Sequence, residues 1–260
     1  MTNRIPLIAG NWKMNLDHLQ AIALIQKLSW TLSDAEHDYA KAEVAVFPPF
    51  TDLRSAQTLI DAEKFDLALG AQDISKHDSG AFTGEISGAF LSKLNTKYVL
   101  VGHSERRQYH SEDDAVIQQK VAAAWRHNLI PIICVGETLE ELEAEGQSAV
   151  PIRQTLAALG GHDSLSEFVI AYEPVWAIGT GKVATPEQAS EVAAAIRQAL
   201  SESFGEVASQ TRILYGGSVK ANNVAGFLLH EDVDGVLVGG ASLDAEEFSG
   251  IARYQKHIVL

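Results

Sequence analysis

One carboxylate stands where a buried strand is expected to end. Residues 168–172 are aromatic, β-branched or small and apolar, which is typical of a fully buried strand in a parallel sheet. Glu173 follows this run directly, and Pro174 keeps it out of the helical region of backbone conformation. Because α/β enzymes place their chemistry at the carboxyl ends of parallel strands, Glu173 is a candidate general base.

The segment after Glu173 is apolar and ends in glycines. This composition favours a lid that closes over the site and turns at its glycine end, although a permanently packed loop would have the same composition. The residues of the predicted lid are Pro174, Val175, Trp176, Ala177, Ile178, Gly179, Thr180, Gly181 and Lys182.

A lysine and a histidine follow two other predicted strands. Lys13 comes shortly after residues 7–9 and would bring a positive charge to the same end of the sheet as Glu173. His103 follows Gly102 and precedes a predicted helical turn, where the helix dipole disfavours imidazolium. A neutral histidine can polarise a carbonyl or pass a proton between oxygens. A surface lysine and a helix-capping histidine are the alternatives.

Glycine pairs follow the last two predicted strands. Gly216 and Gly217 precede Ser218, and Gly239 and Gly240 follow the last strand. Successive glycines let backbone N–H groups approach an anion, and barrels often bind phosphate with the loops after their last two strands. The pattern therefore predicts a phosphate site.

Together these groups favour one kind of reaction. A carboxylate base, a neutral histidine, a cation, a phosphate site and a lid suit proton abstraction next to the carbonyl of a small phosphorylated substrate, and no cofactor is needed. No metal is expected, because the sequence has no His-x-His, Glu-x-x-His or Cys/His ligand spacing. A Gly-x-Ser-x-Gly nucleophile elbow is also absent from the sequence.

The elements that would position these groups recur regularly. Short apolar runs with turn residues after them occur eight times in 260 residues, and helical patterns fill the gaps. This alternation implies a parallel sheet, either closed as a (β/α)8 barrel or open and doubly wound. No Gly-x-Gly-x-x-Gly follows the first run, which argues against a dinucleotide-binding open sheet. The predicted strands are residues 7–9, 44–47, 67–69, 98–101, 130–135, 168–172, 213–215 and 236–238.

Several predicted helices have recognisable N-termini. Thr185, Pro186 and Gln188 form a capping box with proline at the first helical position, opening a helix that runs to residue 204. Residues 244–247 form a second box, and residues 111–114 open a helix with acids at its positive end. Because no linker or low-complexity tract interrupts the chain, residues 1–260 are predicted to form a single domain.

Charge and composition exclude several partners. A formal net charge of −14 argues against nucleic acid and anionic membranes as partners. The single cysteine, Cys134, excludes an intrachain disulfide and fits a reducing compartment. The first residues lack the apolar region of a signal peptide, and no apolar run approaches the roughly 18 residues of a membrane span. A cytoplasmic location is expected.

Other segments fit the strand–helix alternation less well. Residues 75–88 are glycine-rich and are either a mobile loop or a loop ordered by a partner. Residues 137–162 are acidic and are interpreted as solvated helices of no special role. Arg106 and Arg107 lie near acidic residues and are expected to form structural ion pairs, while Glu105 is expected to hold Lys13.

Five stretches resemble the signature blocks of the triosephosphate isomerase family, in that family's order and over nearly the whole chain. They are residues 9–15, 101–107, 134–137, 171–182 and 215–219. The resemblance implies an α/β fold of the (β/α)8 TIM-barrel type. It also implies an isomerase, an intramolecular oxidoreductase that interconverts dihydroxyacetone phosphate and D-glyceraldehyde 3-phosphate through an enediolate in glycolysis and gluconeogenesis. A glutamate base beside a neutral histidine is the arrangement for which this family itself is the standard example.

The resemblance also implies a role for each candidate residue. Glu173 would take a proton from C1 and return it at C2, and His103 would polarise the carbonyl and move protons between O1 and O2. Lys13 would balance the developing negative charge and the charge of the phosphate, and Asn11 would help orient the substrate. Cys134 is expected to be a small packing residue. The residues implied to surround the phosphate are Gly179, Ser218, Gly239 and Gly240.

In the family, the segment corresponding to residues 75–88 projects into a second subunit, with Thr83 directed toward the other active site. The resemblance therefore implies a homodimer. Two alternatives remain open at this point. One is a different phosphate-binding barrel, such as an aldolase that forms a Schiff base with Lys13 or Lys182. The other is an inactive binding protein that has kept the fold.

Overall fold

The computed structural model describes residues 4–177 and 183–258. Within them, eight parallel strands close a barrel in the order of the sequence, and the last strand pairs with the first. The predicted (β/α)8 barrel is confirmed, and the open doubly wound sheet is wrong. The strands are β1 (Leu7–Asn11), β2 (Glu43–Phe47), β3 (Ala68–Ala71), β4 (Tyr98–Val101), β5 (Ile130–Val135), β6 (Val169–Tyr172), β7 (Arg212–Tyr215) and β8 (Gly235–Val238).

The strands are apolar except at their ends, where Asn11, Glu43 and Arg212 lie, because both faces of the barrel wall are buried. Alternate residues of a strand point to opposite faces. One set fills the interior of the barrel, and the other packs beneath the surrounding helices in a separate, larger cluster. The interior set is Leu7, Ala9, Ala45, Phe47, Tyr98, Leu100, Ile132, Cys134, Val169, Ala171, Leu214 and Leu237.

Helices follow the strands and cover the barrel. They are α1 (His18–Asp34), α2 (Leu53–Glu63), α3 (Gly88–Lys93), α4 (Ser104–His110), α5 (Asp114–Arg126), α6 (Leu139–Glu145), α7 (Ala149–Leu159), α8 (Pro186–Phe204), α9 (Val207–Gln210), α10 (Val224–Leu228) and α11 (Ala245–Ala252). Short 3-10 segments occupy Gly240–Leu243 and Tyr254–His257. None of the described helices is long and apolar enough to cross a membrane.

The predicted helix starts are correct in position, but their capping differs in detail. At α8, Thr185 and Gln188 form both hydrogen bonds of the predicted box. At α11, Asp244 accepts from the backbone of Glu247, but the Glu247 carboxylate accepts from the backbone N–H of Ala221 at 2.8 Å. The box at residues 244–247 is therefore only half formed, because the second carboxylate has a tertiary partner.

Glu112, predicted as an acid at the start of α5, instead belongs to a buried ionic cluster. The helix is capped by Asp113. The Glu112 carboxylate contacts the ammonium of Lys120 at 2.6 Å and the guanidinium of Arg106 at 2.7 Å. Arg106 and Arg107 are ion-paired as expected, Arg107 with Asp114 at 2.7 Å. This cluster joins α4 to α5 beneath the carboxyl end of the barrel.

The loop at residues 75–88 is held by contacts within the chain. The Asp78 carboxylate lies 2.9 Å from the side chains of Arg126 and His127 at the end of α5. The rings of His77 and Phe82 stack with their centroids 3.7 Å apart. Thr83 lies at the exposed tip of this loop. The loop is thus shaped by its own chain, which the sequence analysis did not foresee.

An ionic cluster occupies the amino-terminal end of the barrel. The Glu43 carboxylate contacts Lys97 at 2.6 Å and Arg212 at 2.7 Å and accepts from the Tyr98 hydroxyl at 2.8 Å. Burial raises the pKa of Glu43, but its hydrogen bonds and the charge of Arg212 lower it by more. The net pKa lies below the ordinary value of 4.5.

Glu43 is therefore expected to make stability depend on pH. A carboxyl whose pKa is lower in the folded state contributes stability that is present above its unfolded pKa and is lost as the pH falls through its folded pKa. Between about pH 5 and about pH 3, the free energy of unfolding should fall more for the wild type than for Glu43→Gln. Urea unfolding at both pH values measures this. Glu63→Gln, at the exposed end of α2, is the control, and equal losses in wild type and Glu43→Gln would contradict the expectation.

Candidate active site

The carboxyl ends of the strands meet around one cavity of about 370 Å³. β1 ends at Asn11, β4 ends just before Gly102 and His103, and β6 ends just before Glu173. Parallel strands in a closed barrel bring their carboxyl ends to the same face, so residues far apart in the sequence become neighbours. The predicted residues that line this cavity are Asn11, Lys13, His103, Glu173, Ser218, Gly239 and Gly240.

Glu173 is buried and makes hydrogen bonds through both carboxylate oxygens. Its Oε1 lies 2.9 Å from Nε2 of His103, and its Oε2 accepts from the backbone N–H of Ser104 at 2.9 Å. Burial raises the pKa of Glu173, but the contacts with His103 and Ser104 lower it by more, so the pKa lies below the ordinary value of 4.5. The carboxylate is therefore charged at neutral pH, as a general base must be.

His103 caps α4 and receives opposing influences on its charge. Its Nδ1 accepts from the backbone N–H of Glu105 at 3.3 Å, which requires that this nitrogen carry no proton. Burial lowers the pKa of His103, but the charge of Glu173 and the hydrogen bond with it raise the pKa by more, above the ordinary value of 6.5. The neutral imidazole that the dipole of α4 favours stays a prediction.

Lys13 is held in an unusual backbone conformation. Its φ of 53° lies in the left-handed region, which costs a residue other than glycine about 1 kcal/mol or more. The Asn11 side chain accepts from the Lys13 N–H at 3.0 Å, and the Gln72 amide donates to the Lys13 carbonyl at 2.8 Å. The Lys13 ammonium lies 2.7 Å from the Glu105 carboxylate. Glu105 thus contacts Lys13 as the sequence analysis expected.

The backbone of Glu173 is enclosed by glycines from the two neighbouring strands. The Glu173 N–H donates to the carbonyl of Val135 at 2.7 Å, and a Cβ on Gly136 would lie 1.7 Å from the Glu173 carbonyl oxygen. On the other side, a Cβ on Gly216 would lie 2.9 Å from Cγ of Glu173. A larger residue at Gly136 would force one of the two backbones to move, and a larger residue at Gly216 would press on the Glu173 side chain.

Glu137 lies beside the site, in contact with the predicted lid, and the sequence analysis gave it no role. It is fully buried, and its Oε1 accepts from the Tyr172 hydroxyl at 2.9 Å and from the Trp176 indole at 2.8 Å. Burial raises the pKa of this carboxyl, and its hydrogen bonds offset only part of that rise. The interpretation of residues 137–162 as solvated helices of no special role is therefore wrong at Glu137, and it is also wrong along α7, where Val150, Thr155 and Leu159 are buried. A usable signal existed, because Glu137 follows β5 closely, as Glu173 follows β6.

The first part of the predicted lid is visible beside the cavity. Trp176 contacts Glu137, and Ala177 lines the cavity together with Val183. The remaining predicted lid residues, Ile178, Gly179, Thr180, Gly181 and Lys182, lie outside the described residues. The expected phosphate contact of Gly179 is therefore a prediction.

Two further predicted residues, Cys134 and Thr83, do not line the cavity. Cys134 is fully buried inside the barrel wall, where burial raises its thiol pKa well above the usual range, so it packs and is not exposed for reaction. Thr83 does not reach the cavity of its own chain. Across residues 4–177 and 183–258, no cluster of His, Cys, Asp or Glu side chains could hold a metal ion.

Comparison of the sequence with known proteins identifies its family. The model of the triosephosphate isomerase family matches residues 6–255. The chain belongs to the triosephosphate isomerase family. The predicted family and the prediction of an isomerase are thereby confirmed.

Individual members of the family are similar over their full lengths. A triosephosphate isomerase from Leifsonia xyli is 62% identical over 257 residues, which are 98% of this chain and 99% of the relative. One from Streptomyces avermitilis is 57% identical over 258 residues, covering 98% and 99% of the two chains. One from Mycobacterium tuberculosis is 55% identical over 253 residues, covering 96% of each.

Proposed function

We propose that this chain interconverts dihydroxyacetone phosphate and D-glyceraldehyde 3-phosphate through an enediolate. One observation carries the proposal: a buried, charged carboxylate on Glu173 and the imidazole of His103 lie 2.9 Å apart in a cavity that also holds a lysine and two glycine pairs. The names of its relatives support a triose phosphate as the substrate. No cofactor is part of the proposal.

The proposed reaction moves one proton between neighbouring carbons. Glu173 leaves His103 and Ser104, takes the proton from C1 and returns it at C2. The Nε2–H of His103 polarises the carbonyl and then moves protons between O1 and O2. Lys13 balances the negative charge of the enediolate, and Asn11 orients the substrate. These residues thus supply the base, the polarisation of the carbonyl, the balancing charge and the orientation that the reaction requires.

The phosphate is proposed to lie on backbone N–H groups around Ser218, Gly239 and Gly240, completed by Gly179. Glycine permits this approach because it has no Cβ, and a Cβ on Gly240 would meet no other atom within 4 Å, so space is open in front of it. A closed lid would exclude water and protect the enediolate from losing phosphate by elimination.

Proton NMR in D2O tests the reaction. Wild-type protein with dihydroxyacetone phosphate should form glyceraldehyde 3-phosphate that carries deuterium at C2, because the base exchanges its proton with solvent. If the wild type forms no product and exchanges no deuterium, the proposal is overturned. The Schiff-base aldolase alternative leaves Glu173 and His103 without a role. Borohydride added together with substrate should therefore trap no covalent adduct on the protein. A stoichiometric adduct would favour that alternative.

We also propose that the protein is a homodimer in the cytoplasm and that residues 1–260 act as one domain. The residues Met14 and Tyr109 are 94% and 72% exposed beside a second cavity, which borders Lys13 and His103. Exposed apolar groups of this kind mark contact surfaces. We propose that the loop at residues 75–88, with Thr83 at its tip, enters this second cavity on the other copy of the chain.

Dimer formation should depend on this loop. The wild type should sediment at micromolar concentration with twice the chain mass of 28.1 kDa. In Thr83→Arg, a large charge at the tip should oppose insertion and give monomer. Ser201→Arg, on the exposed face of α8, is the control and should stay dimeric. A monomeric wild type would refute the proposal.

A further inference from the structure

The negative charge of the protein opposes the binding of an anionic substrate at the candidate active site. The chain has a formal net charge of −14, whereas a triose phosphate is itself an anion. Among the described residues that line the cavity, only Lys13 and Lys220 are lysine or arginine. The Lys13 ammonium is already neutralised by Glu105 at 2.7 Å. The cavity therefore needs another source of positive charge to attract its substrate.

Lys220 offers a positive charge that is not neutralised. It lies two residues after Ser218 in the loop that follows β7, and its side chain is exposed at the cavity. Its backbone is fixed, since its N–H donates to the Asn223 side chain at 2.8 Å and its carbonyl accepts from the Val224 N–H at 3.0 Å. Within the described part of the chain, its ammonium forms no ion pair, whereas Lys13 forms one.

The charges around the cavity show what Lys220 changes. Lys13 and Glu105 cancel, and Glu173 contributes one negative charge that His103 cancels only when protonated. When His103 is neutral, Lys13, Glu105 and Glu173 together carry one net negative charge, which repels an anion. The positive charge of Lys220 brings this net charge to zero. A phosphate site made of backbone N–H groups supplies only partial positive charges and acts at short range.

We propose that Lys220 captures the phosphate of the substrate by direct contact, as a substrate-binding residue and a second cation beside Lys13. This inference rests on the proposed function. The phosphate carries the same charge in substrate and transition state, so the interaction stabilises both equally. Uniform binding of this kind lowers KM and leaves kcat nearly unchanged. A free charge at the mouth of the cavity also speeds the approach of the anion.

Salt dependence separates this role from a structural one. In Lys220→Gln at an ionic strength of about 0.01 M, KM for dihydroxyacetone phosphate should rise about three- to tenfold, with kcat within about twofold of wild type. The difference should shrink toward about 1 M, where charges are screened within about 3 Å. Lys220→Arg should restore the wild-type KM. Lys64→Gln, exposed after α2 at the opposite end of the barrel, makes the same change in net charge and should leave KM unchanged.

Sulfate binding provides a readout that needs no turnover. Calorimetry at low ionic strength should show weaker sulfate binding by Lys220→Gln than by wild type or Lys64→Gln. If the wild type does not isomerise the substrate, the proposed function fails, and sulfate still tests Lys220. Equal sulfate binding and KM values in Lys220→Gln and Lys64→Gln would overturn the inference. A fall in kcat at constant KM would overturn it too.

Discussion

Replacing Glu173 by glutamine is expected to lower kcat by about 10²–10⁴-fold while dihydroxyacetone phosphate still binds. The amide has nearly the shape of the carboxylate and can accept from the Ser104 N–H as Glu173 does now. It cannot take a proton from carbon, because it is not a base at neutral pH. Only the proton transfer should be lost, so kcat should fall far more than KM rises.

Steady-state kinetics and deuterium exchange measure this effect together. In D2O, Glu173→Gln should incorporate no deuterium at C2 on the timescale of wild-type turnover. Glu63→Gln, at the exposed end of α2, makes the same chemical change far from the cavity and should keep full activity. A decrease of less than about tenfold in Glu173→Gln would show that another group is the base.

Replacing Gly136 by alanine is expected to damage both stability and activity. The added methyl would lie 1.7 Å from the carbonyl oxygen of Glu173, so the backbone of β5 or β6 must move. Overpacking of this kind costs about 1–3 kcal/mol or more, and here the atom displaced belongs to the proposed base. Since a misplacement of about 1 Å can cost about 10²-fold in rate, kcat should fall as well.

Urea unfolding and steady-state kinetics of the soluble variant test this. Gly226→Ala is the matched control, because Gly226 lies within α10, where alanine favours the helix. Its methyl would lie 3.3 Å from Cγ of Pro186 at the start of α8, a far milder approach than at Gly136. It should be as stable and active as wild type. If Gly136→Ala also matches wild type in both measurements, the close approach of the two strands does not limit the site.

The strands and the reacting residues could be predicted because their signals are local. Each buried strand is a short apolar run, and its bounds differ from the prediction by at most two residues. Glu173, His103 and Lys13 each follow such a run. Because the carboxyl ends of the strands were expected to converge, these three residues were expected to lie together, and they line one cavity. The contacts of Glu137 with Tyr172 and Trp176 could not be read in this way, because an acidic segment looks solvated unless its burial is known.

By itself, the sequence determined the alternation of strands and helices, the family, and the residue types at each strand end. Hydrophobic periodicity and turn residues involve near neighbours in the chain, so they can be recognised without knowledge of the fold. The pairing of Lys13 with Glu105 was also expected, but only the tertiary structure decided the other partners of these residues and their burial. The Ser104 N–H that binds Glu173 is 69 positions away, and Arg212 is 169 positions from Glu43. Burial and charge interactions depend on distance in space, and closing the barrel is what sets those distances.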